Sequence, residues 1–443
     1  MTRTIANLAA DLQAGRTSAA ELVSDCLDRI ADADGEGQRT FVEVAADRAR
    51  LTARVMDDLR RIGAEPSPYA GIPVSIKDLF DVRGEVTRAG SVALHTGPAS
   101  SDAVAVERLR RAGLILIGRT NMTEFAFSGL GINPHYGTPA NPWDRASGRV
   151  PGGSSSGAAV SLTDGMAHGA IGTDTGGSCR IPAALCGVVG FKPTQSRVPR
   201  HGVVPLSPTL DAVGVLGRSV GCCAQLTALV AGEEPRLPGA LGRPPRLAVP
   251  RNYLFDGLDN HVGPAFERLG SRLRDAGADV VDLELPALDR LGDMNAGGGF
   301  PAAEAFAWHR ELIKQHGNEY DPRVLTRILR GKRQSAADLI SLREQRAALI
   351  ADVRNQLWGF DAFVCPTVPL VAPAIETLES DDEYTRVNLL MLRNPMVVNL
   401  LDGCAISVPM NRPQEAPCGV MVAGFASQDS AILRIANWIE EQT

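Results

Sequence analysis

Two short stretches crowd hydroxyl side chains among glycines: VPGGSSSGAAV at 150–160 and GTDTGGSCRIPAA at 172–184. Several chemistries could use such loops. Phosphate binding would need G-x-x-x-x-G-K-[ST], or G-x-G-x-x-G between a strand and a helix, and neither run occurs. The closest approach, GVVGFKPT at 187–194, has no hydroxyl residue directly after its lysine. A nucleophile elbow, G-x-S-x-G, matches Gly153 to Gly157 with Ser155 at its centre. That motif demands a strand directly before the serine, whereas NPWDRASGRVPGG is rich in turn formers and reads as a loop. A Ser–His–Asp triad would also need a histidine in a recognisable motif. None of the seven (His95, His135, His168, His201, His261, His309, His316) lies in one, and the apolar context of His168 reads as core.

A third chemistry joins the two stretches. TDTGGS follows the strand-like HGAIG and ends at Ser178. Successive flexible residues can turn several backbone N–H groups toward one point, and such a nest stabilises an oxyanion. Gly176 and Gly177 lack the Cβ atoms that would obstruct close approach. Ser178, at the end of the nest, is placed as a nucleophile, but a protonated hydroxyl needs a base. Lys77, in IPVSIKDLF, closes an apolar strand. Desolvation there would lower its pKa and let it act as a neutral base. Taken singly, each feature has a plainer reading: a turn, an exposed lysine at a strand end, a serine-rich linker. Cys179 adjoins the nucleophile, but no His–Asn partner motif accompanies it, and a small buried neighbour is the reading adopted.

The segments GIPVSIKDLFDVRG (71–84), GGSSSG (152–157) and GTDTGGSCRIPAALCGVVGFKPT (172–194) resemble the amidase signature family. The likeness runs from about Gly71 to about Gly217 and resumes more weakly at GCAISVPM and GVMVAGFASQDSAILRIA. The resemblance implies a serine amidohydrolase with a Ser–cisSer–Lys triad: Ser178 as nucleophile, Lys77 as base, and Ser154 as the bridging serine on a cis peptide bond. It also implies an oxyanion hole built from the backbone N–H groups of Thr175, Gly176, Gly177 and Ser178. Many members read GGSSGG, and here Ser156 replaces a glycine. Asp174 and Arg180 flank the nucleophile and are read as a structural ion pair. Phe127, Ser128 and Gly129 are candidate pocket residues, together with the variable segment 295–395.

The implied reaction is hydrolysis of a carboxylic amide, and by the same machinery of an ester or carbamate, through an acyl-enzyme. No metal and no organic cofactor is expected. Two alternatives stand beside it. One is the glutaminase subunit of a tRNA-dependent amidotransferase, which the shared stretch TEFAFSGLGINPHYGTPANPWD does not separate from a stand-alone amidase. The other is a non-catalytic binding protein on the same fold.

The elements that must hold these residues are legible in outline. The chain has 443 residues, 44% hydrophobic and 22% charged, with a net charge of −6. That balance suits a globular protein and argues against nucleic-acid or membrane-surface partners, while the resemblance implies a small-molecule amide as substrate. No apolar run is long enough to span a bilayer. The N-terminal residues lack an apolar signal core, and the eight cysteines are scattered, so a cytoplasmic protein with reduced thiols is expected, as monomer or homodimer. Residues 1–70 are expected to be a helical segment, opened by a Ser18–Glu21 capping box. Residues 71–443 are expected to form an α/β domain, a large mixed β-sheet core covered by helices, with 295–395 as a helical cap. Strand patterns recur at 71–76, 114–118, 168–173, 187–191, 211–216, 246–250 and 279–285, then at DAFVC, CAISV and GVMVAGF. The Pro- and Gly-rich run 232–246 is the best linker candidate.

Overall fold

The structure, a computed structural model, describes residues 4–443; the first three residues of the 1–70 segment lie outside it. Eleven strands form one sheet: β1 Phe41–Val44, β2 Pro73–Lys77, β3 Ile115–Thr120, β4 Gly169–Asp174, β5 Val189–Lys192, β6 Ala212–Gly217, β7 Arg246–Pro250, β8 Asp279–Leu283, β9 Ala362–Pro366, β10 Cys404–Pro409 and β11 Gly419–Gly424. Their order is β1-β3-β2-β4-β6-β5-β10-β11-β9-β7-β8. The pairs β2/β3, β2/β4, β7/β8 and β7/β9 are parallel and the rest antiparallel, so the sheet is mixed.

Every residue of β2 to β6 is buried. Strands covered on both faces carry near-continuous apolar runs, which explains why PVSI, ILIG and AVGVLG do not alternate. The edge strand β8 is instead half exposed. Helices supply the cover. The first long one, Ala19–Ala31, starts at the Ser18–Glu21 capping box with both reciprocal bonds present. Among the described residues, no helix is long and apolar enough to cross a membrane.

One stretch of the segment expected to be helical also enters the sheet. FVEV is β1, pairing antiparallel with β3 along the sheet edge. Its four residues are too few for periodicity to separate from the helices on either side. Segment 295–395 carries the helices Gly299–His316, Pro322–Arg330, Ala336–Gln356 and Asp381–Leu400, with β9 between the last two. The Pro- and Gly-rich stretch between the helix Val220–Ala231 and β7 has no regular element. Strands from both sides of it nevertheless share the one sheet.

Candidate active site

The parallel pairing of β2 with β4, in the register Ile76↔Ile171, brings the C-terminal ends of the two strands to the same edge. Lys77 closes β2, and Thr173 and Asp174 close β4. The chain then turns through 175–179 into the helix Arg180–Cys186. The other loop arrives from the side. Ser154 follows a cis Gly153–Ser154 bond and stands just before the helix Ser156–Thr163. The two loops are tied through their main chains, Ser155 N–H donating to the Ser178 carbonyl at 3.2 Å. Gly153 lets its loop pack closely on Gly131, since a Cβ there would lie 2.5 Å from the Gly131 nitrogen.

Lys77 is fully buried, and its Nζ lies 2.8 Å from Ser154 Oγ and 2.9 Å from Thr173 Oγ1. Burial pulls its pKa from 10.5 down to about 8, against the opposing pull of Cys179, Asp174 and Asp211. Asp78, next along the IKD run, is locked against Arg119 Nε at 2.7 Å and accepts Gly90 N–H at 3.0 Å, which holds the end of β2 in place.

The expected relay is half assembled. Lys77 contacts Ser154, but the Ser178 hydroxyl has no hydrogen bond among the described residues, to Ser154 or to any other group. Ser178 instead lines a cavity of about 590 Å³. Contacts of this kind are commonly open before substrate binds and close in the reacting complex.

Of the expected nest donors, Gly177 N–H donates to Asp174 Oδ1 at 2.8 Å in this structure. The N–H groups of Thr175, Gly176 and Ser178 remain. Gly177 is still required as glycine: its φ is 122°, and a Cβ would meet Pro395 Cβ at 2.6 Å. Asp174 organises the whole turn, also accepting Cys179 N–H at 3.1 Å. Arg180 grips the same carboxylate with Nε at 3.0 Å and Nη2 at 2.8 Å, both residues being fully buried. Burial alone would raise the Asp174 pKa, but Arg180 holds it well below the usual carboxylate range. Asn399 bridges them, accepting from Arg180 Nη2 at 2.6 Å and donating to the Asp174 carbonyl at 3.1 Å. Replacing Arg180 by Met should therefore strand a buried carboxylate and cost about 3–5 kcal/mol of stability. Chemical denaturation measures this, and an unchanged midpoint would remove the pair from the loop's support.

Cys179 is buried, and burial pushes its thiol up to about 12 with the help of Asp174, so it is no thiolate. His168 is buried as expected. His135 bonds Glu124 Oε1 at 2.9 Å. Among the described residues, one cluster has metal-ligand proximity, His95, His316 and Glu319, and none of the three lines the cavity.

Of the candidate pocket residues, Phe127 and Ser128 line the cavity and Gly129 does not. Gly129 is buried behind it, donating its N–H to Asn388 Oδ1 at 2.8 Å and accepting from Gly153 N–H at 2.8 Å. It holds the loop that carries Ser154. Segment 295–395 supplies much of the remaining wall, including Arg327, Leu389 and Leu392, but Leu206, Tyr253 and Met396 lie outside it. Three further residues of the site are not singled out by sequence pattern: Thr173, Asn399 and Asp211, whose Oδ1 accepts from Thr175 Oγ1 at 2.6 Å.

The Amidase family model matches residues 21–433. The 2-amino-5-chloromuconic acid deaminase of Comamonas testosteroni is 36% identical over 397 residues, 89% of this chain and 86% of that protein. A glutamyl-tRNA(Gln) amidotransferase subunit of Symbiobacterium thermophilum is 35% identical over 462 residues, 96% of this chain and 93% of the relative. A solved structure described as an amidase superposes with a TM-score of 0.90 at 32% identity, covering 99% of this chain and 100% of its own. With the mixed sheet and the paired serine loops, these matches place the chain in the Amidase family, as an enzyme acting on amide C–N bonds.

Proposed function

We propose that the protein hydrolyses a carboxylic amide through an acyl-enzyme on Ser178, with Lys77 as base and Ser154 as the proton bridge. The observation that carries this reading is the buried Lys77 Nζ, 2.8 Å from Ser154 Oγ with its pKa drawn down to about 8. Neutral Lys77 takes the Ser154 proton as Ser154 takes the Ser178 proton. Ser178 Oγ bonds to the amide carbon, and the N–H groups of Thr175, Gly176 and Ser178 receive the oxyanion. The relay then runs backward. Lys77 returns its proton through Ser154 to the leaving nitrogen, the C–N bond breaks, and water repeats the cycle on the ester to release the acid. Substrate binding brings Ser178 Oγ against Ser154.

A fluorophosphonate probe tests the nucleophile. The expected result is one adduct per chain, on the peptide that contains Ser178, and hydrolysis lost in step with labelling. Labelling on Ser155, or turnover untouched by full labelling, would overturn the assignment.

The likeness to the glutamyl-tRNA(Gln) amidotransferase relative over nearly the whole chain favours a second reading, a glutaminase that passes ammonia to a partner protein. Hydrolysis of glutamine in preference to other amides, together with a co-purifying partner, would support it. Turnover of simple amides by the isolated chain supports the stand-alone amidase.

A further inference from the structure

Among the described residues, the cavity that Ser178 opens into is lined by four arginines, Arg327, Arg330, Arg386 and Arg393, and by no Asp or Glu. Three of the four are engaged. Arg386 Nη2 lies 2.7 Å from Glu383 Oε1. Arg393 donates to the Asp256 carbonyl at 2.6 Å, and Arg330 to the Ala296 carbonyl at 2.7 Å. Arg327 has neither an ion pair nor a hydrogen bond among the described residues. Its guanidinium stacks over the Phe127 ring, 4.8 Å from the centroid.

The helix Pro322–Arg330 makes this omission specific. Arg323, Arg327 and Arg330 follow at helical spacing on one side, while Val324 and Ile328 are buried. Like charges so spaced repel. At the first position Arg323 is relieved by Asp381 at 2.8 Å and by the Tyr384 ring. The middle position has the Phe127 ring but no carboxylate among the described residues. Burial draws Arg327 from 12.5 down to about 10, with Arg330 adding to the shift and Tyr384 opposing it. Even so lowered, it remains a cation at neutral pH. A half-buried guanidinium with five N–H donors and no acceptor is costly unless something outside the chain supplies the acceptor.

We infer that the substrate carries a carboxylate on its acyl side, held by Arg327 in the cavity that Ser178 opens into. A carboxylate matches the guanidinium fork with two parallel hydrogen bonds. Phe127 keeps the fork in place, and the apolar wall around Leu389 and Met396 accepts the carbon chain between the two functional groups. This rests on the hydrolytic reading above and adds the substrate class to it.

The experiment pairs half-amides with their neutral counterparts of equal length: malonamate, succinamate, glutaramate and adipamate against the corresponding n-alkanamides. The expected result is that one carboxylate length exceeds its neutral partner by about 30-fold or more in kcat/KM, mainly through KM. Arg327→Ala should abolish that preference. Arg327→Lys, which keeps the charge without the fork, should retain part of it. Equal or better turnover of the neutral partners by the unaltered enzyme would overturn the inference, as would a preference that survives Arg327→Ala. Calorimetry with succinamate and adipamate on Ser178→Ala protein, with and without Arg327→Ala, separates the two readings. Arg327-dependent binding without turnover of either series would sink hydrolysis and keep the anion site. Turnover of neutral amides without such binding would do the reverse.

Discussion

Ser178→Ala is expected to lower kcat by about five to six orders of magnitude and to abolish probe labelling, because the proposed bond to the acyl group forms at that oxygen. The fold should survive. Ser178 is small, its hydroxyl supports nothing else in the structure, and its main chain stays bonded to Ser155. The informative comparison is Ser155→Ala. Ser155 sits at the centre of the G-x-S-x-G pattern, but it stands at the start of the helix Ser156–Thr163, and its Oγ meets the Thr173 carbonyl at 3.5 Å and the Cys179 thiol. Losing such weak bonds should leave turnover within about tenfold of the parent. Steady-state kinetics and intact-mass analysis of both variants decide between the serines. An inactive, unlabelled Ser155→Ala beside a labelled Ser178→Ala would transfer the chemistry to the other loop.

Local pattern reveals most of this site, and where it fails the cause is distance or direction. Ten of the eleven strands announce themselves as apolar runs of strand length. β1 does not, because four residues between two helices offer too short a period to read. The glycine–serine loops and Lys77 are visible because each lies in a recognisable run of adjacent residues. Asn399 is not: it meets Arg180 and Asp174 only because the helix Asp381–Leu400 packs over the loop, and nothing in NPMVVNL refers to residues two hundred positions earlier. Thr173 is within sight, one residue before Asp174, yet only the parallel register of β2 and β4 points its hydroxyl at Lys77. The Gly177 contact is hidden for a related reason. Residue type says that the loop can present N–H groups, but not that the Asp174 carboxylate claims one of them. Arg327 is hidden by ordinary composition, since an arginine on a helix is usually solvated, and only its lack of a partner inside a cavity distinguishes it.

The rate should climb with pH through a limb centred near the Lys77 value of about 8. The sign follows from the role: lysine accepts a proton only when neutral, and it is neutral above its pKa. Burial lowers that pKa because the ammonium form loses water, while Cys179, Asp174 and Asp211 oppose the shift without cancelling it. At pH 7 about a tenth of the enzyme would hold neutral Lys77, against less than about a thousandth for an ordinary lysine. In kcat/KM the limb should rise about tenfold per pH unit below the midpoint and level off above it, reporting the Lys77–Ser154–Ser178 array as a unit. Lys192 supplies the necessary control. It is also fully buried, burial draws it to about 8 as well, and its Nζ donates to the Pro193 carbonyl at 2.8 Å rather than to the serines. Lys192→Met should therefore keep the limb where it is. Lys77→Ala should lose about 10³-fold or more in kcat/KM and flatten the profile. Lys77→Arg should fare no better, since a guanidinium keeps its proton across the accessible range. A pH–rate series on one activated ester and one unactivated amide measures all four proteins. If the limb persists in Lys77→Ala and vanishes in Lys192→Met, the base is the other buried lysine. Near-parental turnover in Lys77→Arg would mean that position 77 supplies charge rather than a proton acceptor.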